Sequence, residues 1–172
     1  MQRWMLTAAM VIVTVVIDQL TKQVARAELR GTPMQSFLGD TFRLDYAENP
    51  GAFLGLGGGL GDGPQFWILT VGVGILLVTM LVWLLVGRGL DRLSVSGMAM
   101  MVGGGLSNLF DRLVNEGRVV DFLNLGIGSL RTGIFNIADV AIMAGAGLLL
   151  LASFRKPHEE GSASMAAPRD GA

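Results

Sequence analysis

Apolar residues in this chain fall in four long runs, at about residues 4–25, 65–86, 93–114 and 134–154, with short polar stretches between them. Crossing a hydrocarbon core about 30 Å thick takes about 20 helical residues. Each run meets that length, and a helix is the state in which a chain in lipid satisfies its own backbone. The pattern predicts an all-α membrane protein with four transmembrane helices. Two connecting segments read differently. Thr41-Phe42-Arg43-Leu44-Asp45-Tyr46 alternates polar and apolar with period two, and 119–125 is β-branched and apolar around Asp121. Both read as strands of a small sheet resting on the outer membrane surface.

Four spans put both termini on one side. Arg3, Arg88, Arg92, Arg155 and Lys156 then share that side, which the positive-inside rule makes cytoplasmic, while Arg30, Arg43, Arg118 and Arg131 fall on the other. Residues 1–156 read as one membrane domain, and 157–172, rich in Gly, Ser and Ala, as a disordered cytoplasmic tail. The glycine-rich stretch 57–63 suits a mobile flap or linker. Arg3, the first apolar run and Ala25-Arg26-Ala27 have the outline of a cleavable secretory signal, but Asp18 and Lys22 stand between the apolar core and that site and argue for a retained helix.

Composition narrows the chemistry. Of 172 residues 51% are hydrophobic and 16% charged, against about 25% charged in soluble domains. The net charge of -1 leaves no basic face for nucleic acid. There is no cysteine, which excludes disulfides, thiolate metal sites and a cysteine nucleophile. The one histidine, His158, lies in the tail, so a histidine triad or histidine-ligated metal has no obvious histidine in the body of the chain. Neither a metal nor a cofactor is expected.

Charged side chains inside a span cost about 2.5–3.5 kcal/mol each near a helix centre. The spans or their ends nevertheless carry Asp18, Lys22, Asp111, Arg112 and Asp139, with Asp121 just outside, and the topology brings all six to the outer end of the bundle. Asp18 and Lys22 are four apart and share a helix face. Their pairing either makes the helix end tolerable or supports a site. Asn108, Asp111 and Arg112 follow three glycines and can all point inward, as an interfacial Asp-Arg pair or as a polar brace between helices. Asn136 and Asp139 are three apart at the start of the fourth run, where they cap the helix or place a carboxylate beside Asp121. Two carboxylates close together in a low dielectric share a proton. One can then act as base on water while the other donates to a carbonyl, chemistry that needs no histidine, cysteine or metal. Asn49-Pro50-Gly51 is a turn signal that either only turns the chain or presents amide and backbone groups to an extended substrate.

These motifs in this order resemble the lipoprotein signal peptidase (signal peptidase II) family. The matching pieces are Asp18-Gln-Leu-Thr-Lys22, Asn49-Pro-Gly-Ala-Phe53, Gly103 through Asn108 to Asp111-Arg112, Val119-Val-Asp121-Phe122 and Phe135-Asn136-Ile-Ala-Asp139. They cover nearly the whole chain except the tail. The resemblance implies an intramembrane aspartic peptidase of the bacterial inner membrane, probed by the cyclic peptide inhibitor globomycin, with a periplasmic β-sheet. Its partners would be membrane lipid and a prolipoprotein signal peptide bearing a diacylglyceryl-cysteine, cut just before that cysteine by a monomer. Carried over, the catalytic pair is Asp121 and Asp139. Asn108, Asp111, Arg112 and Asn136 support it, Asn49 and Gly51 contact substrate, and Asp18 and Lys22 shape the site. One departure is visible: the stretch from Arg112 to Asp121 runs about one residue longer than the family pattern. Two rivals remain at this level. A small transporter would hold its charges near the midplane, and a non-catalytic scaffold would tolerate loss of either aspartate.

Overall fold

The computed structural model describes residues 2–51 and 67–154. Phe53 of the matching motif, the glycine-rich stretch 57–63 and the tail 157–172 lie outside the described residues. The chain runs through α1 (Arg3–Glu28), β1 (Gln35–Phe37), β2 (Phe42–Asn49), a π-helical turn (Ile68–Gly72), α2 (Val73–Val86), α3 (Arg92–Val114), β3 (Val119–Ile127), β4 (Leu130–Arg131) and α4 (Ile137–Phe154). Among the described residues α1, α3 and α4 are long and apolar enough to cross a membrane, while the apolar helix over Thr70–Val86 is shorter. Their outward faces carry Val13, Val16, Val24, Ile75, Val78 and Leu150, all about half exposed or more. Such a surface suits hydrocarbon and not water.

α3 is the central helix, packed mainly on α4 and α1 and less on α2. Its three consecutive glycines explain how one helix meets three partners. Successive residues step about 100° around a helix, so 103, 104 and 105 face three directions. A Cβ on Gly103 would stand 2.8 Å from the Thr14 side chain of α1, one on Gly104 would run into the Ala138 carbonyl oxygen of α4, and one on Gly105 would run into Leu77 of α2. Lower down, Gly97 and Gly145 cross back to back; a Cβ on Gly97 would lie 2.7 Å from the Gly145 oxygen. Missing side chains let backbones approach where no hydrophobic effect drives helices together. Midway, the core is apolar: Leu84, Val95, Met98, Ala99 and Val102 are buried together. At the other end, the Arg3 guanidinium donates to the backbone carbonyls of Leu85 and Gly87, tying the start of α1 to the end of α2.

The sheet is antiparallel in the order β1-β2-β3-β4. Both expected strands form, and they pair with each other. Their register slips once: Leu44 faces Leu123 and Ala47 faces Asp121, so Asp45 and Tyr46 together oppose Phe122. This bulge resets the alternation of β2. Leu44 and Asn49, five residues apart, thereby share the face that carries Asp121. The sheet seats on the bundle through a cluster of Phe122, Ala25 of α1 and Leu29 just past its end, with Leu44, Tyr46, Leu123 and Ile137 packed against that cluster.

Helix ends follow from local chemistry. Asp91 caps α3 by accepting from Ser94 N at 2.8 Å. α3 stops as Glu116 and Gly117 turn left-handed, at φ 53° and 83°, and Gly117 N donates to Arg112 O at 2.9 Å. That closes the helix in the manner of a Schellman turn. The fourth run is corrected at its start. Residues 134–136 read as helix by hydropathy, but Phe135 bridges to Leu123 in extended conformation, and the helix begins at Ile137.

Replacing Gly104 by Leu is expected to destabilise the bundle by about 1–3 kcal/mol through overpacking, read as a lower Tm in detergent. Gly147→Ala meets nothing within 4 Å and is expected to leave the Tm unchanged or raised. Equal losses in the two variants would sink the close-approach account of α3.

Candidate active site

The polar network is organised around Lys22, whose side chain is fully buried. Its ammonium has three donors and no acceptor. They meet Asp18 Oδ2 at 2.8 Å, Asp111 Oδ2 at 3.0 Å and Asn108 Oδ1 at 2.8 Å. Each of the two carboxylates accepts two further hydrogen bonds. Asp18 Oδ2 accepts from Ser107 Oγ at 2.7 Å and Oδ1 from Ala138 N at 2.7 Å, in the first turn of α4. Asp111 Oδ1 accepts from Gln19 Nε2 at 3.0 Å and Oδ2 from Val120 N at 3.1 Å, in β3. One ammonium and two carboxylates thus join α1, α3, α4 and the sheet. The expected pairing of Asp18 with Lys22 forms. Of the two readings left open for Asp111, a pair with Arg112 or a brace between helices, the structure has the brace: it pairs with Lys22 of α1.

Lys22 also sets the orientation of Asn108. A donor-only group at one side of the amide requires its oxygen there, so the Asn108 NH2 is turned toward Asp139, to whose Oδ1 it donates at 2.9 Å. Asn136 is the next relay. Its Oδ1 accepts from Asp139 N at 2.9 Å, while its own backbone N donates to Asp139 Oδ2 at 3.2 Å. This is a reciprocal capping box at the start of α4. The Asn136 Nδ2 donates to Asp121 Oδ1 at 2.7 Å and to Asn108 Oδ1 at 3.1 Å. Capping and site-building, alternatives on the bare sequence, are done by the same atoms.

Asp121 and Asp139 are therefore held on two elements, β3 and α4, with Asn136 bonded to both. Each is buried, at 2% and 8% exposure, and each receives two nitrogen donors. The second donor to Asp121 is Asn49 Nδ2, at 2.9 Å to Oδ2. Ala47 lies directly opposite Asp121, so Asn49, two residues on, reaches it diagonally across the same face. Burial pushes the Asp121 carboxyl up to about 6; the Asn49 hydrogen bond opposes this, the charge of Asp139 adds to it, and Asn136 and Lys22 hold it back. Asn49 Oδ1 accepts from Gly51 N at 2.8 Å, and Gly51 O accepts from Arg112 Nη2 at 3.2 Å. Arg112 is 7% exposed, and its Nε has no partner among the described residues.

The residues given catalytic, substrate-contact or supporting roles are thus in one connected network: Asp18, Lys22, Asn49, Gly51, Asn108, Asp111, Arg112, Asp121, Asn136 and Asp139. Sequence reasoning assigned no role to Gln19 and Ser107, which bond each other at 2.9 Å and brace Asp111 and Asp18. Ser107 stands one helical turn before Asp111, the only hint a sequence offers; the position of Gln19 shows its role only once α1 and α3 are docked. The ionisable groups gather at one end of the bundle, above an apolar middle.

Apolar helices burying a linked set of carboxylates and amides beneath a small sheet define a multi-pass membrane protein with a polar site at one end. Comparison with known proteins agrees. The family profile described as signal peptidase (SPase) II matches residues 10–155. A protein named lipoprotein signal peptidase from Photorhabdus laumondii is 34% identical over 154 residues, covering 88% of this chain and 89% of that protein. One of the same name from Moorella thermoacetica is 40% identical over 134 residues, covering 77% and 82%. A bacterial membrane enzyme solved by the in meso method at 2.3 Å resolution shares the fold, with a TM-score of 0.76 at 20% identity, over 91% of this chain and 92% of that one. The chain belongs to the signal peptidase II family.

Lys22→Met keeps the length of the side chain and removes its charge. It leaves Asp18 and Asp111 buried without their cation and is expected to destabilise the protein by about 3–5 kcal/mol, measured as denaturation in detergent. Adding Asp111→Asn should recover part of the loss. Independent, additive losses would show that the three groups are not one unit.

Proposed function

We propose that this protein is an aspartic endopeptidase that removes the signal peptide from diacylglyceryl-modified prolipoproteins, cutting just before the lipidated cysteine, with Asp121 and Asp139 as the catalytic pair. The observation that carries the reading is the placement of these two buried carboxylates on separate elements, each steadied by two nitrogen donors and both bonded to Asn136. Family membership supplies the signal peptidase activity, and the names of the relatives supply the lipoprotein substrate.

In the proposed reaction the pair holds one proton. Asp121, whose carboxyl is pushed up to about 6, carries it and donates it to the scissile carbonyl oxygen. Asp139, the ionised partner in this step, accepts from the Asn108 amide and the Asn136 backbone N–H and takes a proton from water. The hydroxide adds to the carbonyl carbon, giving a tetrahedral diol. The C–N bond then breaks, with the proton on Asp139 passing to the leaving nitrogen of the cysteine and Asp121 recovering its own. Asn49 and Gly51 contact substrate, Arg112 presents its Nε, without a partner among the described residues, near the Gly51 backbone, and Asp18 and Lys22 shape the site. An apolar groove of about 400 Å³ between α1 and α4, lined by Met10, Val13, Ile17, Met100, Ile137 and Val140, begins beside the first turn of α4 and suits the hydrocarbon parts of the substrate.

In this reading the protein is a monomer in the bacterial inner membrane. The π-helical turn and α2 supply a fourth span, both termini are cytoplasmic, and the sheet and site face the periplasm. It works without metal or cofactor and is sensitive to globomycin. Arg3 joining the ends of α1 and α2 supports a common side for those ends.

Cleavage of a lipid-modified prolipoprotein by the purified protein tests the pair. Asp121→Asn and Asp139→Asn, each shown folded by its Tm, are expected to lower the rate by about 10³-fold or more. A folded variant cutting near the wild-type rate would remove that residue from the mechanism. The pH profile tests the proton. Because the Asp121 pKa is raised and the protonated form is the active one, kcat/KM should fall as pH rises through about 6. Asn49→Ala removes a hydrogen bond that holds this pKa down, so the alkaline limb should move to higher pH; movement the other way would contradict the assignment.

A further inference from the structure

Where α1 and α3 end, a second polar feature stands apart from the carboxylate pair. A cavity of about 240 Å³ is lined by Arg26, Arg30, Glu48, Asn115, Glu116 and Arg118, with Val114 at its lower edge. Its donors outnumber its acceptors. Arg30 reaches Glu48 Oε1 at 3.5 Å, an oxygen that already accepts from the Tyr46 hydroxyl at 2.9 Å. Arg26 comes only within 3.9 Å of Asp111 Oδ1, which already accepts from Gln19. Arg118 has no ion pair among the described residues, and the buried Asn115 Nδ2 has no acceptor among them. Arg26 leans toward the doubly acidic Lys22 cluster through Asp111, which leaves Arg30 sharing Glu48 and Arg118 without an ion pair among the described residues, two guanidinium groups able to hold a phosphodiester monoanion. Directly beneath, Phe110 and Val114 stand four apart on one helix face and are 51% and 59% exposed, a surface for hydrocarbon. The cavity thus sits at the level where helix-end arginines meet lipid headgroups.

We propose that this cavity binds the phosphodiester headgroup of an anionic phospholipid, held by Arg30, Arg118 and Asn115, with an acyl chain running down over Val114 and Phe110. A free phosphate satisfies the same donors but leaves the apolar surface bare, so the two sources separate by experiment.

The test uses the full-length protein in neutral detergent, titrated with phosphatidylglycerol, phosphatidylcholine or inorganic phosphate, with retained lipid read by native mass spectrometry and stabilisation by Tm. Phosphatidylglycerol is expected to be retained and to raise the Tm, while the other two do neither at matched concentration. Arg30→Gln and Arg118→Gln should each weaken its binding about fivefold, the effect of about 1 kcal/mol per arginine near a lipid surface. Arg88→Gln, at the other end of the bundle, should leave binding unchanged, and Arg30→Lys and Arg118→Lys should retain most of it. If a glutamine variant is less stable without lipid, the comparison of its lysine counterpart with wild type carries the test, since a lysine variant that folds but binds no better than glutamine overturns the role of charge. Equal retention of phosphatidylcholine, undiminished binding in both glutamine variants, or displacement of phosphatidylglycerol by inorganic phosphate at equal concentration would each overturn the proposal.

Discussion

The buried ammonium of Lys22 is the constraint on which the rest of this structure depends. A lone cation in such a place is untenable, as is a lone carboxylate. The three acceptors around it come from α1 and α3, and the two carboxylates among them accept in turn from the backbone of α4 and of β3. Helix packing in lipid lacks a hydrophobic drive, so a charge cluster of this kind does what a core does in water. It makes separation of the elements costly and allows one arrangement. The two carboxylates of the proposed pair stand at the far edge of the cluster, connected to it through Asn108 and Asn136.

Packing and polarity divide the bundle between them. Below the cluster, close contact comes from absence: the glycines of α3 meet a different helix at each step. Above it, contact is made by hydrogen bonds to helix ends. Asn136 and Asp139 close the start of α4 on each other, and Asp18 reaches across from α1 to a further N–H of the same turn. The amides that a helix start leaves open therefore become part of the site's own wiring. Rigidity at Asp139 follows from the helix cap, and rigidity at Asp121 from the ladder between β2 and β3.

Much of this was legible in the sequence because ionisable residues in apolar runs stand out: Asp18, Lys22, Asp111 and Asp139 are conspicuous against their surroundings, and their depth along each run places them at one end. The two strands were legible from alternation and from β-branched content. What escaped depends on tertiary context. Ile134 and Phe135 are apolar and extend the fourth run by hydropathy, yet the sheet takes Phe135 for a bridge to Leu123. Asp111 and Arg112 are neighbours in sequence and suggested a pair, but helix geometry turns them to different partners. The short strands β1 and β4 carry too few residues for a pattern. Gln19 looks like a polar residue at a helix end until Ser107 and Asp111 are set beside it.

The bulge in β2 has a consequence for chain length. Strand faces obey parity, and five steps from Leu44 to Asn49 would ordinarily put the two side chains on opposite sides of the sheet. The doubled position opposite Phe122 cancels the odd step, so Leu44 and the amide that steadies Asp121 stand on one face. Removing a single residue between them would restore a regular ladder and break the arithmetic. Either Leu44 would turn away from its present side or Asn49 would leave its carboxylate. Length in this strand is therefore quantised in units of two.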